Sequence, residues 1–171
     1  MKYRVFTSPV VPQKLVVPAE VRIMHRWPNA PDEAFFLRSW HRHLLKITFG
    51  LAYSIDTSSD GMPDRGVEFF QLQTMLRQSA RNVLTLFHSE VSLPADAPGD
   101  LDPADPLYYV EQSCEGIAHR ICMDMISLME ADSAILDFLH TRLTYFVECS
   151  VSEDGECTGS SSLSRSFTRI E

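Results

Sequence analysis

Three of the chain's six histidines lie in one stretch, HRWPNAPDEAFFLRSWHRH, residues 25–43. One opens it and a His-x-His pair closes it. Side chains two apart on a strand share a face, so His41 and His43 project together while Arg42 points away. His25 ends the alternating segment that comes before. If the two segments pair antiparallel across the 28–40 connection, all three imidazoles converge. Three neutral imidazoles at about 2.0–2.1 Å with an open fourth position form a catalytic zinc site rather than a structural one. Such a metal lowers the pKa of bound water and polarises a substrate oxygen. Two exposed histidines on an edge strand have the same spacing, so spacing alone leaves both readings open. The other histidines offer less. His119 falls on the polar face of a helix, near Arg120 and Asp124. His140 lies among apolar residues before a strand. His88 ends a helix, where a cation is favourable in any case.

The elements that must hold these residues follow from periodicity. AEVRIMHRW, 19–27, alternates, with Val21, Ile23 and His25 on one face, and predicts a strand. Pro28 and Pro31 end it. HRHLLKITFGLAYSI, 41–55, predicts a second strand, and DTSSDGMPDRG, 56–66, a turn or loop. Residues 68–87 switch to helical spacing, with Phe69, Leu72, Met75, Leu76, Val83 and Leu84 recurring at three- and four-residue steps. The Pro/Asp-rich run within 89–112 predicts an irregular connector. Residues 113–129 form a helix with one apolar stripe, Ser113 as N-cap and Glu115 at the positive end of the dipole. In RLTYFVECSVSE, Leu143, Tyr145, Val147, Cys149, Val151 and Glu153 share a face, and 157–167 pairs back as a hairpin. The order is β-β-α-α-β-β. It predicts an α+β fold, an antiparallel sheet with two helices on one face. The core spans about 20–168 after a short N-terminal extension, 1–18, which could add a strand.

The totals set bounds. The 171 residues suggest one domain, 1–171, with a real core. A net charge of −8 argues against nucleic acid as the main partner. No stretch reaches the ~18 apolar residues of a membrane span. The opening MKYRVFTSPV lacks an apolar signal core, which predicts a cytoplasmic protein. The four cysteines, Cys114, Cys122, Cys149 and Cys157, lack Cys-x-x-Cys spacing. They read as free thiols, the first three as small core hydrophobes.

With these pieces in order, the chain resembles the 6-pyruvoyl-tetrahydropterin synthase and 6-carboxytetrahydropterin synthase family. HRWPNA…SWHRH is similar to that family's zinc signature. GVEFFQLQTML, 66–76, resembles its Gly-x-x-x-Asp-Phe-x-x-Leu entry to the first helix. SCEGIAHRI, 113–121, resembles Pro-Thr-x-Glu-x-x-Ala, and CSVSEDGECTGSS, 149–161, the Val-x-Val-x-Glu strand. The resemblance covers roughly 20–165. It implies the T-fold, or tunnelling fold, in which subunits join edge to edge into a trimeric barrel and two trimers stack. It implies zinc on His25, His41 and His43, and a pterin- or purine-like ligand held between subunits. Glu153 falls at the family's ring-anchoring carboxylate, with Glu156 as rival. Ser113 falls at its threonine. Glu115 is either a ligand contact or a favourable first-turn charge.

The departures concern proton transfer. The family's cysteine lies four residues before the His-x-His pair, where this chain has Leu37. Its Asp-His pair reads here as Phe87-His88, which leaves His88 as the candidate catalytic base with no aspartate to fix its tautomer. Two readings of different class result. One is a zinc-dependent lyase or cyclase acting on a pterin-like or related heterocycle with altered acid–base residues. The other is a non-catalytic pterin- or purine-binding protein of the same fold.

Overall fold

The computed structural model describes residues 11–55, 67–97, 106–142, 144–155 and 157–166. Five strands form one sheet: β1 (Val11–His25), β2 (His41–Ile55), β3 (Tyr108–Val110), β4 (Thr144–Glu153) and β5 (Cys157–Ser166). Their order across the sheet is β3-β1-β2-β4-β5. The sheet is mixed, because β3 runs parallel to β1 while the other three pairings are antiparallel. Helices α1 (Phe69–Glu90), α2 (Cys114–Ala131) and α3 (Ser133–Arg142) complete the fold.

The period-2 pattern decides which face is covered. Val17, Ile23, Leu45, Ile47, Phe49, Leu51, Tyr145, Val147, Cys149 and Val151 are buried, all odd-numbered and all on one face. Against them pack Leu72, Leu76 and Leu84 of α1, Ile117, Ile121 and Met125 of α2, and Ile135 and Leu139 of α3. Even-numbered residues such as Glu20, Lys46, Thr48, Phe146 and Glu148 are exposed on the other face. Burial pushes the thiols of Cys122 and Cys149 up to about 11 and about 12, so both act as core hydrophobes.

Three expectations need correction. The first strand starts at Val11 rather than near residue 19, so 11–18 of the expected extension belong to β1 and pair with 48–55 of β2. Pro12 and Pro18 lie within this strand, where a proline removes a ladder donor. Over 11–22, however, β2 is the only described partner, and a one-sided strand tolerates proline. The connector 89–112 contains β3, whose three residues are too few to show alternation and are all buried. Among the described residues the α-helices number three rather than two. Asp132 Oδ1 accepts the N–H groups of Ala134 (3.0 Å) and Ile135 (3.1 Å), a cap that starts α3 directly after α2. A 3-10 helix, Asp32–Arg38, also folds the connection between β1 and β2.

The β4–β5 hairpin turns at Asp154 and Gly155, with φ of 47° and 82°. Further along β5, Gly159 presses on the backbone that opens α2; a Cβ there would lie 2.7 Å from Glu115 Cα. Neither backbone can yield as a flexible side chain would. Gly159→Ala is therefore expected to cost about 1–3 kcal/mol, the range for overpacking. The urea midpoint checks this, and an unchanged midpoint would contradict the close approach.

Candidate metal centre

The β1–β2 register makes the site. His25 is paired directly with His41, and Ile23 with His43, so the end of one strand faces the start of the next. The connection between them is held shut by Trp27 N–H donating to Leu37 O (2.7 Å) and Arg38 Nε to Ala30 O (2.8 Å). The three rings meet with centroids 5.9, 6.0 and 4.7 Å apart. One nitrogen from each lies within 4.8 Å of the others, a spacing able to hold a metal ion.

Each imidazole has its Nδ1 turned to an acceptor. His41 Nδ1 lies 2.7 Å from the Ser39 carbonyl, which can only accept, so this nitrogen carries the proton. His43 Nδ1 donates to Asp154 Oδ2 at 2.6 Å. His25 Nδ1 faces Glu153 Oε1 at 3.1 Å. For His41 and His43 that leaves Nε2 with its lone pair, the arrangement seen where histidines bind metals. His41 Nε2 is buried with no hydrogen-bond partner among the described residues. An orphaned buried acceptor is costly, and a metal ion would satisfy it. Burial lowers the pKa of His25, its effect exceeding the opposing pull of Glu153, and this favours the neutral, metal-binding form. The donor set therefore fits a metal ion.

Asp154 is a site residue the sequence reading missed. Its Oδ1 accepts Leu44 N–H (3.1 Å) and its own N–H donates to Leu44 O (3.2 Å). The His43 hydrogen bond, then the Leu44 one, holds its carboxyl below the ordinary range, so it stays ionised. The available signal was the Asp-Gly pair, which marks a tight turn. Glu111 was also missed. It accepts from Arg26 Nε at 2.7 Å, and the Arg26 guanidinium lies 4.5 Å from the Trp40 ring centre.

A cavity of about 490 Å3 opens onto the three histidines. Ser113, Glu115 and Glu153 line it, as do Trp27, Leu37, Glu111, Cys114 and Asp154. Leu37 thus stands in the wall, and Cys114, read as core, borders the cavity as well. Glu153 has a side chain only 11% exposed, and its Oε1 lacks a partner with hydrogen-bond geometry. The Ser113 hydroxyl caps α2, accepting Gly116 N–H at 3.2 Å. Glu156 lies outside the described residues. His88 is not part of the lining. Its Nδ1 accepts Tyr109 N–H at 3.0 Å, and burial lowers its pKa. The tautomer that seemed unfixed is therefore set by a backbone amide, with the proton on Nε2.

No protein-family model matches the sequence, and no curated protein matches it. Solved structures do. A catalytic-residue variant of Plasmodium vivax 6-pyruvoyltetrahydropterin synthase superposes with a TM-score of 0.50 at 21% identity, covering 92% of this chain and 99% of that one. The chain has the T-fold. The 6-pyruvoyl tetrahydropterin synthase of Plasmodium falciparum gives a TM-score of 0.48 at 15% identity, covering 91% and 99%. The T-fold assignment agrees with the α+β reading. It also fits a sheet covered on one side.

Asp154→Asn keeps the shape but weakens the acceptor behind His43. Loss of such a partner typically costs 10–100-fold in metal affinity. Competition against a chromogenic chelator should show a loss of about that size with the hairpin intact by circular dichroism. Unchanged affinity would mean that Asp154 only shapes the turn.

Proposed function

We propose that this protein is a zinc-dependent lyase or cyclase of the pterin-synthase type, acting on a pterin-like or related heterocycle with altered acid–base residues. One observation carries the reading: three imidazoles, two of them with Nδ1 hydrogen-bonded, converge on a cavity that also holds a buried, under-partnered carboxylate, Glu153. His25, His41 and His43 would hold the zinc, which supplies Lewis-acid polarisation of a substrate oxygen when bound.

The chain's own residues would do the rest. Glu153 would accept the N–H groups of a planar, amidine-bearing ring, a charge-assisted contact strengthened by its burial. Glu115 and the Ser113 hydroxyl border the same space and would take further ring edges. Trp27 and Leu37 would exclude water from the ring. His88, neutral and outside its own chain's cavity, would serve the cavity of a neighbouring copy as proton carrier. Such sharing requires an oligomer, a trimer or a hexamer of two trimers. The one-sided stretch of β1 and the outer edge of β5 favour this, since closure removes open edges.

Leu37 favours a second reading. It places a side chain that moves no proton in the cavity wall, as a non-catalytic pterin- or purine-binding protein would allow.

Zinc-loaded protein incubated with dihydroneopterin triphosphate separates the two. Side-chain loss by mass spectrometry establishes the enzyme; tight binding without turnover favours the second reading. Metal analysis should give about one zinc per chain, largely lost in His41→Ala, as a three-histidine site requires. Glu153→Gln should weaken pterin or guanine binding more than about tenfold, the scale of one lost charge-assisted hydrogen bond. Normal ligand binding in that variant would remove the ring-anchor role.

A further inference from the structure

The His25–His41 pair is the last rung of the β1–β2 ladder, and beyond it the chain leaves for the 26–40 connection. The end of a ladder is where strands open first. The buried core begins further in, at Ile23 and Leu45, while His25, His41 and His43 are only partly buried. A metal site needs its ligands held to within about 0.5 Å. Something outside the core must therefore hold this rung.

Arg26 and Trp40 stand just beyond it, one directly after His25 and the other directly before His41. Neither lines the metal cavity. The Arg26 guanidinium lies 4.5 Å from the centre of the Trp40 ring. Its Nε donates to Glu111 Oε1 at 2.7 Å, and its Nη2 lies 2.5 Å from the same oxygen. Glu111 follows Val110, the residue of β3 paired with His25. Trp40 in turn meets the buried Tyr109 ring edge-on, with centroids 5.0 Å apart. One guanidinium thus joins the exit of β1, the entry of β2 and the exit of β3, and the ring it rests on is braced from β3. Stability alone does not call for this. The Arg26 and Glu111 side chains are 27% and 29% exposed, and ion pairs that reach solvent add little to folding. What the contact does fix is the separation of the two residues that bracket the histidine rung. A cation over an aromatic face can hold strand ends together where the backbone ladder has stopped.

We infer that Arg26 and Trp40 are positioning residues: their contact clamps the His25–His41 rung at metal-binding spacing and so sets the affinity of the site. The inference rests on the metal reading of the triad. Zinc competition against a chromogenic chelator, with the full chain, tests the two separately. The wild type should bind and His41→Ala should lose most of the zinc. Arg26→Gln and Trp40→Leu should each bind roughly 10–100-fold more weakly, the range for groups that orient metal ligands. The urea midpoint of the metal-free protein should stay nearly unchanged in both. Trp40→Phe keeps a ring face and should stay within a few-fold of the wild type. The double variant should be no weaker than the worse single one, because both remove the same contact. With cobalt in place of zinc, the visible bands should shift in both single variants, a sign of altered ligand geometry. Loss of zinc in His41→Ala with wild-type affinity in Arg26→Gln and Trp40→Leu overturns the clamp and leaves the metal reading standing. A collapse of the urea midpoint alongside the affinity also overturns it, because the pair would then be holding the fold. So does a loss confined to Glu111→Gln, which would make that carboxylate a ligand. A wild type that binds no zinc removes both readings.

Discussion

Everything at the metal centre depends on the register between β1 and β2. His25 opposite His41 is one rung of a ladder that continues down to Val11 opposite Ile55. A slip of one residue would turn every side chain of one strand to the other face. Were β2 the one to slip, His41 and His43 would turn to the other face and Arg42 inward, while His25 stayed where it is. The register is held far from the site, by Val17, Ile47, Phe49 and Leu51 packed on the helices. The histidines themselves contribute little to that choice. The hydrophobic core thus fixes the geometry of a polar cluster at one end of the sheet, and the cluster need not be a source of stability.

The second device is a set of acceptors behind the rings. A backbone carbonyl stands behind His41 and ionised Asp154 behind His43, while buried Glu153 faces His25. Two of these come from the β4–β5 hairpin, which approaches β2 from the side opposite β1. Two of the three imidazoles, one from each strand, therefore face carboxylates of that hairpin. The charge is arranged to match: the carboxylates sit outside the triad, behind His25 and His43.

How much of this could be read from the sequence follows from how local each feature is. The parity of His41 and His43 was legible, as were the bounds of β2 and the apolar stripe of α2, because each is written within a few consecutive residues. The convergence of His25 on that pair needed only one assumed pairing, and the ladder supplies it. Asp154 was not legible as a partner of His43, because 111 residues separate them and the turn explains an aspartate there without it. β3 was hidden by its length and by the prolines around it. α3 has only two buried apolar residues, Ile135 and Leu139, so its period was weak although its Asp132 cap was present. The start of β1 was hidden by Pro12 and Pro18, whose meaning depends on whether a second strand lies alongside. Periodicity carries no information on that.

The contact of Gly159 with the first turn of α2 joins two parts that differ in kind. β5 is the outermost strand of the sheet, and α2 carries Ser113 and Glu115 into the cavity. With backbone resting on backbone, the strand and the helix end have no compliant layer between them. Any load applied along the free margin of β5 is delivered to the mouth of the cavity without being damped on the way. The rim of the sheet and the helix end that borders the pocket thus meet at a residue that has no side chain.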